Sequence, residues 1–365
     1  MSVRGSLPYV DRAVITRPAL PVTLASLASG GVPENEMMQY DLDPSYMQQY
    51  NVNLQHQLPW DSAVTIAYMG SKGSNLLGSA DVNLAVPQIV NGREFFPANP
   101  VRRNPNFGTL RMSLDGFHSR YNGLSLAWVK RQSRGLQFQS SYTFGHSWDN
   151  RSGSGGRQEF RNGQGRAFDP YHKELDWGRS DYDVRHNLVL DATYLLPFSG
   201  PAVVEGWQVS AVGTFASGVP FSPVIPGDSD RDGSTDNVNR PDVASGISTK
   251  PTGGRTPDMW FNPEAFVFPG LGFRGNAGRN ILEGPGMATV DLALVKNQPL
   301  SGKRSVQLRL EIFNLLNRAN FDIPFNDPDG EAVFDDTGAR IPTAGRIFAT
   351  ATDAREMQVA IRFVF

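Results

Sequence analysis

Three carboxylates recur at every second position of a short segment rich in Asp and Gly. Asp228, Asp230 and Asp232 are followed directly by Gly233, and Asp236 comes shortly after. Carboxylates at positions 1, 3 and 5 with Gly at position 6 begin the loop that wraps calcium in hard oxygen ligands. Position 12 is an asparagine, where that loop has a bidentate Glu. The pattern therefore predicts either a calcium ion that stabilises a loop, held by the four aspartates, or an Asp- and Gly-rich turn in a solvated loop.

The five histidines have no spacing that would bring two of them to one metal ion or to a nucleophile. They are His56, His118, His146, His172 and His186, and neither HExxH nor G-x-S-x-G occurs. No glycine loop of the phosphate-cradling type precedes a helix pattern. Arg102 and Arg103 precede an Asn-Pro pair, where they form either a basic loop tip for an acidic ligand or an ordinary solvated loop. We therefore predict no enzyme and no catalytic residues.

The composition excludes several classes of protein. The 365 residues include 37 Gly, 26 Pro and no Cys, which removes disulfide and thiolate chemistry. The net charge of −2 gives no electrostatic case for binding nucleic acid. No apolar run approaches the roughly 18 residues that a spanning helix needs. A β-barrel escapes that test, because only alternate residues of its strands face lipid.

The last twelve residues, AREMQVAIRFVF, alternate strictly in polarity. Apolar side chains at every second position from Met357 to Phe365 share one face of an extended strand, and Gln358 and Arg362 lie on the other. A strand that closes a membrane barrel needs this pattern, with one face toward lipid, one toward a wet lumen and an aromatic at the interface. We expect the machinery that assembles outer-membrane barrels to recognise this strand, which ends on Phe365.

Eight further segments repeat the alternation. They are residues 50–54, 64–68, 124–128, 135–145, 185–196, 206–217, 286–296 and 304–316. Short turns, at residues 59–61, 132–134, 197–205 and 297–303, alternate with long stretches rich in Gly, Pro, Asn and Asp, at residues 70–120, 146–183, 218–285 and 317–353. Regular alternation of this kind is typical of periplasmic turns and extracellular loops. The sequence predicts an all-β, antiparallel transmembrane β-barrel whose ligand contacts lie in the four long loops.

Charged and aromatic side chains have expected places in such a barrel. Asp291, Arg309, Glu311 and Arg362 are predicted to face the lumen, where they form a ladder across neighbouring strands or contact a domain inside the barrel. His186 begins a strand and is expected at the lumen or the interface. Two aromatic girdles are predicted, one near the short turns and one near the long loops. Their members are Trp60, Phe198 and Trp207, and Tyr68, Tyr121, Phe144 and Phe215, respectively.

Nine strands is an odd number, whereas bacterial single-chain barrels have an even number. Unpaired strand edges in lipid cost several kcal/mol for each unsatisfied backbone group. Residues 19–28 are the nearest apolar stretch to a secretion signal, and Pro21 interrupts them. We therefore expect residues 1–47 to be a loop or remnant of a preceding barrel region. Residues 48–365 would then be the C-terminal strands of a larger barrel.

The amino-acid sequences of five segments resemble those of a known protein family. They are DPSYMQQYNVNLQHQLPWDSAVTIAYMGSKGSNLLG, YNGLSLAWVKRQSRGLQFQSSYTFGHSWD, SDYDVRHNLVLDATYLLPF, LRLEIFNLLNRANFDIP and AGRIFATATDAREMQVAIRFVF. Together they resemble TonB-dependent receptor barrels, in particular the Oar-like group, from Pro44 onward. The resemblance implies a 22-stranded transporter barrel with a plugged lumen in the outer membrane of a Gram-negative bacterium. It also implies a plug domain and TonB as partners of the intact protein, with the plug and TonB box encoded upstream.

Three functions from different classes follow from these patterns. The leading hypothesis is a receptor that takes up an unidentified ligand through extracellular loops. The alternatives are a passive porin-like or adhesive outer-membrane barrel without energy coupling, and a secreted β-rich binding protein. The outward apolar faces count against the secreted protein, because a soluble sandwich buries its apolar face. A plug and a TonB box upstream would separate the receptor from the passive barrel.

Overall fold

The computed structural model describes residues 34–153, 166–234, 239–300, 302, 304–326 and 331–365. In chain order the strands are β1 (Asn35–Met38), β2 (Tyr46–Leu58), β3 (Ser62–Asp81), β4 (Gln88–Val90), β5 (Arg93–Phe95), β6 (Leu110–Ser133), β7 (Leu136–Asp149), β8 (Gly178–Arg179), β9 (His186–Leu195), β10 (Trp207–Ala216), β11 (Pro220–Phe221), β12 (Pro223–Val224), β13 (Asp242–Val243), β14 (Phe266–Val267), β15 (Leu282–Glu283), β16 (Met287–Pro299), β17 (Ser305–Phe313), β18 (Glu331–Ala332) and β19 (Glu356–Val364). Two short 3-10 helices, Lys173–Asp176 and Pro263–Ala265, complete the described elements. Within these ranges, no helix has the length and hydrophobicity to span a membrane.

One large sheet contains all nine predicted strands. Its order is β19-β17-β16-β10-β9-β7-β6-β3-β2, and each neighbouring pair is antiparallel. Strands that follow one another along the chain therefore lie side by side, as in an up-and-down barrel wall. Among the described residues the sheet is open, and β2 and β19 pair on one side only. The predicted antiparallel all-β wall is confirmed.

The register confirms the predicted faces of the sheet. Leu294 lies between Val209 and Leu310, and Leu310 lies opposite Val359. We call this apolar side the outward face. Arg309, one position along, lies opposite Val295 and Ala360 on the inward face. The alternation holds because a shift of one residue would turn a whole apolar set toward the lumen.

Two of the predicted long loops are shorter than expected. Residues 70–81 and 110–120 belong to β3 and β6, and residues 146–149 belong to β7. The β3–β6 pairing shifts register between Gly73 and Leu76 and again between Leu76 and Gly78. Each shift interrupts the period-two pattern, so the sequence hides the continuing strands.

Within the predicted remnant at residues 1–47, residues 34–47 are described, and they are partly strand. The strand β1 pairs in parallel with β6, with Asn35 opposite Leu110, and β2 begins at Tyr46. Residues 1–33 lie outside the described part of the chain.

The aromatic girdles need one correction. Tyr121 lies opposite Ser71 and Ser147 on the inward face, so it cannot belong to a lipid-facing girdle. Its ring instead lies over Gly123 and Gly145, where a glycine leaves room for it. His186 lies opposite Phe144 on the outward face, at the long-loop end of the strand. Of the two positions expected for His186, the lumen and the interface, this is the interface.

The largest apolar core lies in the long loops and not in the sheet. It contains Phe221, Ile225, Phe261, Phe266 and Leu282 from one loop and Ile323, Val333 and Phe334 from the next. We call the described parts of residues 82–109, 150–185, 217–286 and 314–355 the loop assembly. Because its side chains are buried against one another, the assembly is a packed layer at one end of the wall.

Candidate functional site

The Asp228 segment folds as a chain of turns closed by its own carboxylates. Gly233 N donates to Asp228 Oδ1 at 3.2 Å, and Ser234 N donates to Asp232 Oδ1 at 2.8 Å. Arg231 and Gly233 have positive φ values of 59° and 86°, and the glycine adopts such a conformation without strain. The carboxylates of Asp228, Asp230 and Asp232 lie within 4.8 Å of one another. The structure therefore brings together three of the four predicted calcium ligands.

The remaining residues of the predicted calcium loop have different outcomes. Asp236 lies outside the described residues. Asn239, at position 12, is buried, and its Nδ2 donates to the carbonyl oxygen of Gly227 at 2.8 Å.

Arg274 supplies the positive charge at this cluster. Its Nε donates to Asp230 Oδ2 at 3.2 Å, and its Nη2 donates to Asp232 Oδ2 at 3.1 Å. Its Nη1 donates to Asp169 at 2.5 Å and to Glu94 at 2.9 Å. Four carboxylates from three loops thus meet one guanidinium whose side chain is 7% exposed. A buried charge is tolerated when it is paired in this way.

The pKa shifts at the cluster follow from burial and crowding. Burial, reinforced by Asp232, raises the pKa of Asp228 to about 6. Burial also raises the pKa of Asp230 well above its usual value, with Asp232 adding to the effect and Arg274 opposing it. Burial lowers the pKa of Arg274, but the surrounding aspartates outweigh it, so the net pKa is raised. Arg274 is therefore permanently charged, while Asp228 and Asp230 are carboxylates that resist ionisation.

Two further buried arginines join neighbouring loops. Arg240 donates to Asp176 Oδ1 at 2.5 Å and lies over the ring of Phe168, 4.5 Å from its centroid. Arg279 contacts Asp149 and donates to Asp181 at 2.9 Å. Arg102 donates to the carbonyl oxygen of Gly233 and so connects two of the long loops. Its side chain therefore does not form the basic loop tip that was one of the two predictions for this residue.

A cavity of about 320 Å³ opens beside these arginines. Its lining includes Arg93, Glu94, Phe168, Arg240 and Arg274, together with residues 275–278. The volume lies at the lower end of the range for small-molecule sites. Guanidinium groups and one aromatic face suit a ligand that carries both oxygen acceptors and an apolar part. All lining residues lie in three of the four long loops in which ligand contacts were predicted, at residues 70–120, 146–183 and 218–285. None of them was singled out individually as a ligand contact, because buried arginines have no sequence pattern of their own.

The inward charges do not form the predicted ladder of opposite charges across strands. Among the described residues, Arg309 pairs with Glu311 at 3.3 Å on the same strand. Across strands, Glu311 accepts a hydrogen bond from Gln358, and Arg362 lies opposite Gln307. Asp291 accepts a hydrogen bond from the backbone of Asn314 at 2.8 Å. The contacts of these inward charges are thus made within one strand, with an uncharged side chain or with the backbone.

Two solved structures are similar to this chain. No curated protein sequence matches the chain. The chain is similar to the outer membrane transporter YddB from Escherichia coli, with 9% identity, a TM-score of 0.47 and coverage of 91% of this chain and 34% of that one. It is also similar to the pyoverdine outer membrane receptor FpvA from Pseudomonas aeruginosa bound to pyoverdine, with 11% identity, a TM-score of 0.43 and coverage of 89% and 30%. The chain thus spans about a third of the length of these two structures.

The family match covers almost the whole chain. Residues 6–358 match the family model described as an outer membrane beta barrel domain. The outward face is therefore the lipid-facing side, and the location is the outer membrane of a Gram-negative bacterium. The hypothesis of a secreted β-rich binding protein is therefore wrong, because proteins of this family place the apolar face of the sheet in lipid. The nine-stranded wall and its packed loops belong to the family of outer-membrane β-barrel domains.

Proposed function

We propose that this chain forms barrel wall and extracellular loops of an Oar-like TonB-dependent receptor, which takes up a ligand across the outer membrane. The observation that carries the proposal is the loop assembly, in which buried arginines fix loops that are distant in sequence around one cavity. Arg274 alone contacts Glu94, Asp169 and Asp232. A passive pore needs no such fixed set of polar groups, whereas a binding site does.

The proposed role is binding and transport, without catalysis. The cavity beside Arg240 is the proposed place of first ligand contact. A plug domain and TonB are the proposed partners of the whole protein. The assembly machinery of outer-membrane barrels is the proposed partner of the terminal strand, whose Phe365 is 98% exposed.

The alternative is a porin-like or adhesive barrel without energy coupling. The test is to read the DNA upstream of Met1 in frame, and then to ask whether the full product binds the purified periplasmic domain of TonB. We expect a signal peptide, a plug with a TonB box and further strands, and binding that is lost when the TonB box is deleted. A stop codon directly upstream with strong translation from Met1 would contradict the receptor hypothesis. So would binding to the TonB domain that survives deletion of the TonB box.

A further inference from the structure

Two cations lie side by side on the lipid-facing side of the wall. Lys72 of β3 is directly opposite Arg120 of β6, and both side chains are exposed. The same row continues to Gln48 on one side and Trp148 on the other. Tyr68 and Leu124 are each four positions away along regular strand, so Lys72 and Arg120 share their lipid-facing side.

The position of this row matches the outer boundary of the apolar band. Lys130, on the same face of β6, lies opposite Ser62 at the short-turn end, and ten residues separate this row from that of Lys72 and Arg120 (130 − 120 and 72 − 62). At about 3.4 Å per residue and a tilt of about 40°, ten residues rise about 26 Å, against an apolar band of about 25 Å. Between the two rows the lipid-facing side chains of β3 and β6 are uncharged. On β3 and β6 they are Val64, Ile66, Tyr68 and Gly70, and Asn122, Leu124, Leu126 and Trp128.

Within the described residues, Lys72 and Arg120 differ from the neighbouring cations because neither side chain donates a hydrogen bond to a protein oxygen. No carboxylate in the described part of the chain forms an ion pair with Lys72 or Arg120. Arg179, which follows Trp148 in the row, is held by Asp183 at 2.6 Å. Lys130, at the opposite boundary, donates to Trp60 O at 3.1 Å and to Ser133 Oγ at 2.7 Å.

We propose that Lys72 and Arg120 bind the phosphate groups of an anionic lipid in the outer leaflet. Neighbouring strands are about 4.8 Å apart, so both side chains reach the same headgroup. An arginine binds phosphate through two parallel hydrogen bonds, and a lysine on a flexible stem reaches up to the headgroup level. Trp148, which is 37% exposed, and Tyr68 supply the amphipathic rings that favour this depth. The proposal rests on the outer-membrane location and on the predicted orientation with the long loops outside, and it is independent of the proposed receptor function.

The test uses the protein extracted from outer membranes in a non-ionic detergent, with bis-phosphorylated lipid A as the probe. The same lipid A without its phosphates and free inorganic phosphate are the comparison ligands. We expect wild type to prefer the bis-phosphorylated lipid, and K72Q/R120Q to bind it about tenfold to thirtyfold more weakly. K72R/R120K keeps both charges and should retain most of the affinity.

The matched control is R309Q/R362Q, which removes the same charge from the inward face of the same sheet. It should bind lipid A as wild type does, and a folding check by heat-dependent gel mobility accompanies each variant. Equal affinity of K72Q/R120Q and wild type would overturn the proposal. So would an equal loss in the inward control, or equal binding of lipid A with and without its phosphates. Free phosphate binding as tightly as the lipid would overturn a lipid site in favour of a phosphate site.

Discussion

At the scale of single residues, the main finding is that arginines hold the loops together. The Asp228 cluster combines carboxylates that would repel one another, and Arg274 neutralises two of them at 3.2 Å and 3.1 Å. The same guanidinium lies over the rings of Phe96 and Phe168, with 4.9 Å and 5.1 Å to their centroids. Removal of one partner from such a cluster leaves a buried charge uncompensated, which is strongly destabilising.

Calcium binding by the Asp228 segment stays a prediction, and Arg274 makes it testable. Because the arginine already contacts Asp230 and Asp232, we expect wild type to bind calcium only at millimolar concentration. Arg274→Gln removes the competing cation and should bind calcium more tightly. Calcium titration followed by hydrogen exchange of residues 227–234 measures both proteins.

The control for calcium is R274Q/D232N, which also lacks a candidate ligand and should lose the gain in affinity. If hydrogen exchange stays unchanged at millimolar calcium in both wild type and Arg274→Gln, the segment does not bind calcium and is a polar turn. Arg274 would then be the cation that neutralises the aspartates.

At the scale of elements, two lysines mark the short-turn boundary of the wall. Lys130 and Lys296 both occupy lipid-facing rows, opposite Phe138 and Trp207, respectively. Lys296 Nζ reaches back to the turn and donates to the carbonyl oxygen of Ala202 at 2.5 Å. A lysine near the end of a membrane segment is tolerated when its charged end leaves the hydrocarbon in this way.

Adjacent residues of β16 should respond differently to the same introduced charge. Leu292 lies opposite Ala211 and Ile312 on the lipid-facing side, about 10 Å into the membrane from Lys296. Ala293 lies opposite Ser210 and Glu311 on the inward face. Leu292→Arg should destabilise the barrel by about 2–4 kcal/mol, whereas Ala293→Arg gains Glu311 as a neighbour.

The measurement for this pair is the fraction of protein that assembles in the outer membrane and shows heat-dependent gel mobility. Leu292→Arg should reduce that fraction strongly, and Ala293→Arg should stay near wild type. Equal assembly of the two variants would contradict the assignment of faces on β16.

At the scale of the whole molecule, the wall and the loop assembly are two layers with different chemistry. The wall exposes apolar side chains to lipid, and the loop assembly buries its own apolar core together with arginine–carboxylate clusters. The two layers meet where β3, β6 and β7 continue past the apolar band. Long loops and short turns therefore lie on opposite sides of the membrane.

Single cysteines can test this topology, because the chain contains no Cys. Val267, in the loop assembly, is 49% exposed, and Val203, in a short turn, is 70% exposed. A membrane-impermeant maleimide should label Val267→Cys in intact cells. It should label Val203→Cys only after the outer membrane is permeabilised. If Val203→Cys were labelled in intact cells as fast as Val267→Cys, the predicted orientation would be wrong.

The sequence alone was sufficient for the wall. Period-two alternation is a local property, so the faces of β9, β10, β16, β17 and β19 could be read without any knowledge of their partners. The predicted bounds were within about three residues, except in β2, β3, β6 and β7. In β3 and β6, the register shifts between Gly73 and Leu76 and between Leu76 and Gly78 broke the alternation.

Only the tertiary structure decided the loop assembly. Arg274 and Glu94 are 180 residues apart in sequence, and Arg279 and Asp149 are 130 apart. Contacts over such separations leave no periodicity along the chain, and an Asp- and Gly-rich loop has the same sequence whether it is solvated or buried. The sequence determined which residues face lipid, because the membrane imposes one rule on every strand. The structure determined which loop residues meet, because that depends on how distant segments pack together.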